Sequence, residues 1–476
     1  MRKKLIGFAL ILAAVILLVS CAPNESSENS ADERIVLQLL TEENMGVFNK
    51  QIIYTRQVFE RRNQNVDFEI NRLSDDPEER RIQLDQLRVE ILAGKGPDLY
   101  LLPTEVQYTV DGMHLLEPLF PDINQTMENG LFADISAYYN TDTDLNTAAL
   151  NFTVMDAATI EEKRFALPLR YDYPVLYVNN NLVQKQNIPE NAFAGNAEDL
   201  YTALSKQTTP EAVAFRSEFM RRFLFNFFPD LLDYENQQVL LNPQALTGLL
   251  NSYLAFQTTG KPNITGEYSC DFSAYLTDSY WGSNDCYCHF SSLEMVPYEI
   301  MFAETAGFDL TMIPLTGEEG QVVADITLYG AVDAGCAYPE LAYDFLREFL
   351  TEESQWEANI EPSEMYTPAW QGYPVRTAGC FSAYSHNLLQ RMCQTEWNNI
   401  DQNIVSQRTD ALQQTVLTEE RLSRLDACVD AARFPLNELE REILKDFNNL
   451  LYCNEMDIAA LADEWTRNLE FHLLEG

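Results

Sequence analysis

The sequence predicts an α/β fold of more than one domain, with helix-flanked sheets and a largely helical C-terminus. Three observations carry this reading. Apolar strand-like runs alternate with amphipathic helical runs from Ile35 onward. The chain has 476 residues, more than one ordinary domain holds, and 46% of them are hydrophobic, enough to fill real cores. The last ninety or so residues are patterned almost wholly as helix.

Ile35 to Leu40 is a short apolar run suited to a buried strand. From about Met45 to Arg62, Phe48, Ile52 and Phe59 share one helical face. Val66, Phe68 and Ile70 alternate with Asp67 and Glu69, the period of a second strand. Asp76 before Pro77 opens a helix that Leu84, Leu87 and Ile91 continue and Gly94 stops. Leu99 to Leu102, after Pro97, form a third strand. This β-α-β-α-β order implies a mostly parallel sheet with helices on its faces. The same grammar returns at Phe308 to Leu315, Ile326 to Val332, and the helix Pro339 to Leu350. No internal repeat is visible.

The N-terminus is of another kind. Arg2, Lys3 and Lys4 precede an uncharged run from Leu5 to Val19. That run is short for a hydrocarbon core of about 30 Å, which takes about 20 residues, and it fits the apolar region of a secretory signal. It ends in Leu18-Val19-Ser20-Cys21, which resembles a bacterial lipobox. In that pattern the Cys21 thiol takes a diacylglycerol through a thioether, and the chain is cut before it. Two or three acyl chains, at about 0.8 kcal/mol per buried methylene, anchor firmly where one would not. The alternative is an ordinary secretory signal with an incidental cysteine. Residues 22–33 are Ser-, Asn- and Glu-rich, the composition of a flexible tether.

The net charge of −41 repels nucleic acid and anionic lipid. Of nine cysteines, eight remain beyond Cys21, all in the second half of the chain. An even number in an exported chain points to disulfides. Cys286, Cys288 and His289 have the look of a metal site, but no second pair stands at zinc spacing, so a structural thiol or disulfide is the stronger reading. The four histidines, His114, His289, His386 and His472, form no H-E-x-x-H pattern. No G-x-S-x-G elbow or phosphate-binding P-loop is present, and Gly94-Lys95-Gly96 lacks the third glycine of a dinucleotide loop.

Five segments, in order, resemble the extracellular solute-binding proteins of family 1, the group that includes maltose-binding protein. They are ILAGKGPDLYLLP, RFALPLRYDYPVLYVNNNLVQKQNIP, YGAVDAGCAYPELAYDFLREFLTEESQW, YPVRTA, and the stretch from LTEERLSRL to LADEWTRNLEFHLLE. Together they span most of Arg34 to Glu475. Asn180-Asn181 departs from the usual Lys-Asp, a cysteine-rich strand from Cys286 to Phe290 replaces a small apolar one, and Leu102 stands where many sugar binders carry an aromatic.

The resemblance implies a two-lobed, periplasmic-binding-protein-like fold of type II, with mixed sheets and ligand held between the lobes. It puts a signal at 1–20, a tether at 21–33, lobe 1 at 34–168 plus 330–380, and lobe 2 at 169–329 plus 381–476. It implies a monomeric carbohydrate receptor of an ABC importer, with permease subunits as partners, no cofactor and no metal. By position it offers Asp172, Glu42 and Glu105 as hydroxyl acceptors, with Thr104 beside Glu105. Candidate platforms for sugar faces are Tyr171, Tyr173, Tyr280, Trp281, Tyr329 and Trp370, and Ser291 and Ser292 are candidate hydrogen-bonding groups. Each aromatic has the alternative of a place in the core. Strand alternation would turn Tyr171 and Tyr173 one way and Asp172 the other, unless the segment bends at Pro174. Two rival functions are an exported glycoside hydrolase, which would turn a sugar over, and a surface adhesion or scaffold lipoprotein, which would bind no small ligand.

Overall fold

The computed structural model describes residues 34–45, 47–109, 113–185, 187–188, 190–206, 213–214, 224–259, 288–293, 296, 309–351, 354–355, 373–376, 424–436, 439–440 and 457–475. Cys21, Tyr280, Trp281 and Trp370 lie outside these residues, and of Ser291 only the backbone is described.

Two main sheets are built from β1 (Ile35–Glu42), β2 (Val66–Leu73), β3 (Leu99–Pro103), β4 (Ala166–Asp172), β5 (Pro174–Asn179), β6 (Val213–Ala214), β7 (Cys288–Ser292), β8 (Leu310–Pro314), β9 (Val322–Val332), β10 (Tyr373–Pro374) and β11 (Val429–Arg433). The first sheet runs β10-β4-β9-β3-β1-β2, with β11 also paired to β9. The second runs β6-β7-β5-β8. The main described helices are α1 (Val47–Arg62), α2 (Pro77–Leu92), α3 (Ile123–Glu128), α4 (Ala197–Ser205), α5 (Pro243–Thr259), α6 (Pro339–Arg347) and α7 (Ile458–Glu475).

The first three strands and two helices form as their patterns predict. β1 pairs in parallel with both β2 and β3. Phe48, Ile52 and Phe59 of α1 are buried, and Phe59 meets Phe68 and Phe345 edge-on. Asp76 caps α2 by accepting from the Glu78 and Glu79 amides, and Gly94 turns the chain after it with a φ of 65°.

The mostly parallel sheet that the β-α-β alternation implies is corrected to a mixed one, as the family resemblance implies. β9 runs antiparallel to β3 and to β4, because the chain enters β9 from the opposite lobe. β9 is eleven residues long and wholly buried, four residues longer at its start than the apolar run Ile326 to Val332 indicates. The helical reading of the C-terminus holds for α7, but β11 interrupts it; VDAAR is too short and small-sided to announce a strand.

Each sheet has its own core. Phe345, Phe349, Leu346 and Tyr100 belong to the first, and Trp465, Leu249, Tyr253 and Phe290 to the second. β5 serves both. Its side chains alternate, so Val175 and Tyr177 enter the first core while Leu176 and Val178 enter the second. That double burial is why PVLYVN reads as a continuous apolar run.

The chain changes sheet at Tyr173. Asp172 still pairs with Asp325 in the first sheet, whereas the Tyr173 carbonyl accepts from Leu293 and the Pro174 carbonyl from Leu315 in the second lobe. Residues 169–172 and 322–329, which the resemblance assigns to lobe 2, therefore hydrogen-bond in the first sheet, and so does β11. Among the described residues, Cys336 and Cys428 are free thiols. Burial pushes the Cys336 thiol up to about 12.

Candidate functional site

Open α/β sheets offer ligand sites beyond the carboxyl ends of their strands. β1, β2 and β3 are parallel, and β4 points the same way because both it and β3 oppose β9. Their carboxyl ends, Glu42, Leu73, Pro103 and Asp172, therefore share one edge of the first sheet. In the second sheet β7 ends with Ser292 opposite Pro174, and β8 ends with Pro314 opposite Val175. The strand ends of both sheets thus converge on the place where the chain crosses. This junction is the candidate site.

Its interior is charged. Arg433, at the end of β11, is buried and donates through Nε to Asp325 Oδ1 at 2.9 Å. Its Nη1 lies 2.9 Å from Glu440 Oε1, and the same oxygen accepts from the Leu436 amide at 3.0 Å. Burial alone would disfavour the guanidinium charge, but Asp325 and Glu440 outweigh it and push the group above its usual range. Burial raises the Glu440 carboxyl against the pull of Arg433. Asp230 is also raised by burial, with Arg433 drawing it back. Arg433 Nη2, Ser292 Oγ and Asn226 Oδ1 are buried here without a hydrogen-bond partner among the described residues. Asn226 holds the second lobe to the start of β9 by donating to the Val323 carbonyl at 2.8 Å.

The rim of the first lobe is held by a second buried cation. Arg80, in the first turn of α2, binds both oxygens of Glu42, at 2.6 and 2.9 Å. Its Nε donates to the Glu117 carbonyl at 2.6 Å and its Nη1 to the Ser74 carbonyl at 3.3 Å. One guanidinium therefore fixes the ends of β1 and β2 and the segment before α3. Bidentate pairing of this kind adds geometric specificity as well as energy.

The sequence-predicted residues divide accordingly. Glu42 is corrected from ligand acceptor to structural anchor: its carboxylate is occupied by Arg80, and burial pushes it up while Arg80 draws it down. Tyr171 and Tyr173 are corrected from sugar platforms to core residues. Strand geometry persists through them, so their rings lie side by side, 6.5 Å apart, with no exposed face. Their hydroxyls donate to Asp426 Oδ1 and to the Leu425 carbonyl. Tyr329 is likewise core, between Phe132 and Phe434. Asp172 reaches the junction, but it is fully buried and its Oδ1 accepts from the Tyr173 amide at 3.0 Å. The Thr104 hydroxyl donates to the Ile326 carbonyl. Glu105 is half-buried at the same edge. Sequence reasoning missed Arg433, Asp325, Glu440 and Arg80; a buried arginine leaves no periodic signal, and its partners are distant in the chain.

The Arg433 cluster makes a direct prediction. Arg433→Met removes the cation shared by Asp325 and Glu440 and should cost about 3–5 kcal/mol at neutral pH. Urea denaturation measures this; a loss under about 1 kcal/mol would show that the cluster is not what joins the lobes.

No family model matches the chain, and no curated protein matches it in sequence. Solved structures match its shape. An extracellular solute-binding protein of family 1 from Alicyclobacillus acidocaldarius is 12% identical with a TM-score of 0.53, covering 92% of this chain and 98% of its own. The cyclic alpha-maltosyl-1,6-maltose binding protein from Arthrobacter globiformis is 13% identical with a TM-score of 0.54, covering 93% and 100%. An ABC substrate-binding protein from Listeria monocytogenes, solved with cycloalternan, is 12% identical with a TM-score of 0.52, covering 92% and 99%. Two α/β lobes, strand ends converging between them and near-complete coverage of these chains together show that this chain has the two-lobed fold of the extracellular solute-binding proteins of family 1.

Proposed function

We propose that this chain is the lipid-anchored receptor of an ABC importer and binds a carbohydrate between its two lobes outside the cell membrane. The observation that carries the reading is the junction itself. Two sheets point their strand ends at a shared crossing, so a ligand touching both lobes favours their approach and shifts the balance between open and closed forms. The structural neighbours that bind cycloalternan and a cyclic maltosyl-maltose support a sugar as the ligand class. Permease subunits, one against each lobe, would read the closed form, with ATPase subunits inside the cell.

Binding fits the described junction better than hydrolysis does. A glycosidase needs two carboxyl groups facing the scissile bond. Here Glu42, Asp325 and Glu440 are bound to arginines, so none of these three is placed to act on a scissile bond.

Three outcomes follow. A panel of oligosaccharides, screened by thermal shift on the chain from Arg34 onward, should contain one that adds about 2.7 kcal/mol at a hundred times its dissociation constant. Chromatography should recover that sugar intact; cleavage products would favour the hydrolase, and no shift across the panel would remove the receptor reading. With the sugar in hand, Glu105→Gln should weaken binding about 10- to 150-fold by calorimetry. For the anchor, Cys21→Ser cannot form the thioether, so the variant should lose acyl label and membrane retention. Unchanged labelling would refute lipidation at Cys21.

A further inference from the structure

Three polar side chains meet at the crossing, each with one buried atom that has no hydrogen-bond partner among the described residues. Arg433 is in register with Asp325 of β9, and Asp325 with Asp172, the last residue of β4. Ser292 is in register with Pro174, two residues further on. Asn226 reaches the same place from the second lobe. It donates to the Val323 carbonyl at 2.8 Å and lines one small cavity together with Pro174. Neighbouring strands lie about 4.8 Å apart and successive residues about 3.3 Å, so all three gather within about two strand spacings of Asp325. Arg433 is 5% exposed, Asn226 3% and Ser292 0%.

The contacts each residue does make identify the unmet atom. Arg433 directs Nε to Asp325 and Nη1 to Glu440, which leaves Nη2. Val323 fixes the orientation of the Asn226 amide by accepting from Nδ2, which leaves Oδ1. The Ser292 carbonyl accepts from the Tyr177 hydroxyl at 2.7 Å, while the hydroxyl of Ser292 itself is unmet. The set is one donor, one acceptor and one hydroxyl that can act as either. A buried polar atom left unmet costs the free energy of its lost hydration.

We infer that Arg433 Nη2, Asn226 Oδ1 and Ser292 Oγ are the sugar's hydrogen-bonding partners at the base of the junction, and that they select a neutral polyol edge. The inference rests on the receptor reading above. A hydroxyl both donates and accepts, so a row of hydroxyls can meet all three atoms. A carboxylate only accepts. It would leave Asn226 Oδ1 unmet and would lie beside Asp325 and Glu440, which already share the Arg433 charge. When the lobes approach without sugar, the three atoms leave water and stay unmet. When they approach around a sugar, its hydroxyls replace that water. This is the differential interaction a ligand needs in order to shift the balance between open and closed forms.

Ser292→Ala separates a sugar-binding role from a structural one. The substitution deletes a hydroxyl that is unmet without sugar, so the sugar-free full chain should keep or raise its urea midpoint. Calorimetry then takes maltotriose, mannotriose and cellotriose as neutral probes and trigalacturonate as the acidic one. The neutral trisaccharide that binds the parent chain best should bind the Ser292→Ala variant about three- to tenfold more weakly. Trigalacturonate should bind the parent chain more weakly than that trisaccharide does. A lowered urea midpoint shows that the hydroxyl has a structural partner and overturns the inference. An unchanged affinity in Ser292→Ala, or a preference for trigalacturonate, also overturns it and leaves the receptor reading standing. Binding by none of the neutral probes overturns both.

Discussion

The architecture depends on one buried cation at the point where the lobes meet. Arg433 ends the last described strand of the first sheet and holds Asp325 on one side and Glu440 on the other. Glu440 in turn receives the Leu436 amide, and Leu436 belongs to the second core. The ion pairs thus fix how the chain leaves one lobe for the other. Desolvating such groups costs several kcal/mol each, so the cluster contributes little net stability. What it supplies is a defined geometry: hydrophobic side chains in its place could slide, whereas a guanidinium with two carboxylates has few alternative poses.

Around that cation the two cores are joined by a strand with two insides. β5 places Val175 and Tyr177 in one core and Leu176 and Val178 in the other. No other arrangement of an extended segment would let both lobes pack on the same six residues, because alternation sends adjacent side chains in opposite directions. Tyr171 and Tyr173 extend the logic backwards along β4, with rings in the first core and hydroxyls anchored to Asp426 and Leu425.

The charged groups of the junction hold its strand ends. Carboxylates that arginines occupy, Glu42, Asp325 and Glu440, shape the strand ends. Glu105 lies half-buried on the same edge. At the outer seam, Asp122 joins the lobes through a tyrosine hydroxyl and an imidazole.

Local pattern was enough to determine much of this protein. Alternation at Val66, Phe68 and Ile70, the cap at Asp76 and the stop at Gly94 each record a choice made within a few residues, and the structure follows them. The two-lobed fold was legible from the order of five short segments. The candidate site was legible only as a region. Asp172 ends β4 at the crossing, and its burial, the core positions of Tyr171, Tyr173 and Tyr329, and the occupation of Glu42 by Arg80 were not visible. Each depends on partners far along the chain: 38 residues separate Arg80 from Glu42, 108 separate Arg433 from Asp325, and 255 separate Tyr171 from Asp426. A carboxylate reads the same in sequence whether it faces solvent, a sugar or an arginine. Only tertiary structure decides which, because the deciding group is the one that folding brings beside it.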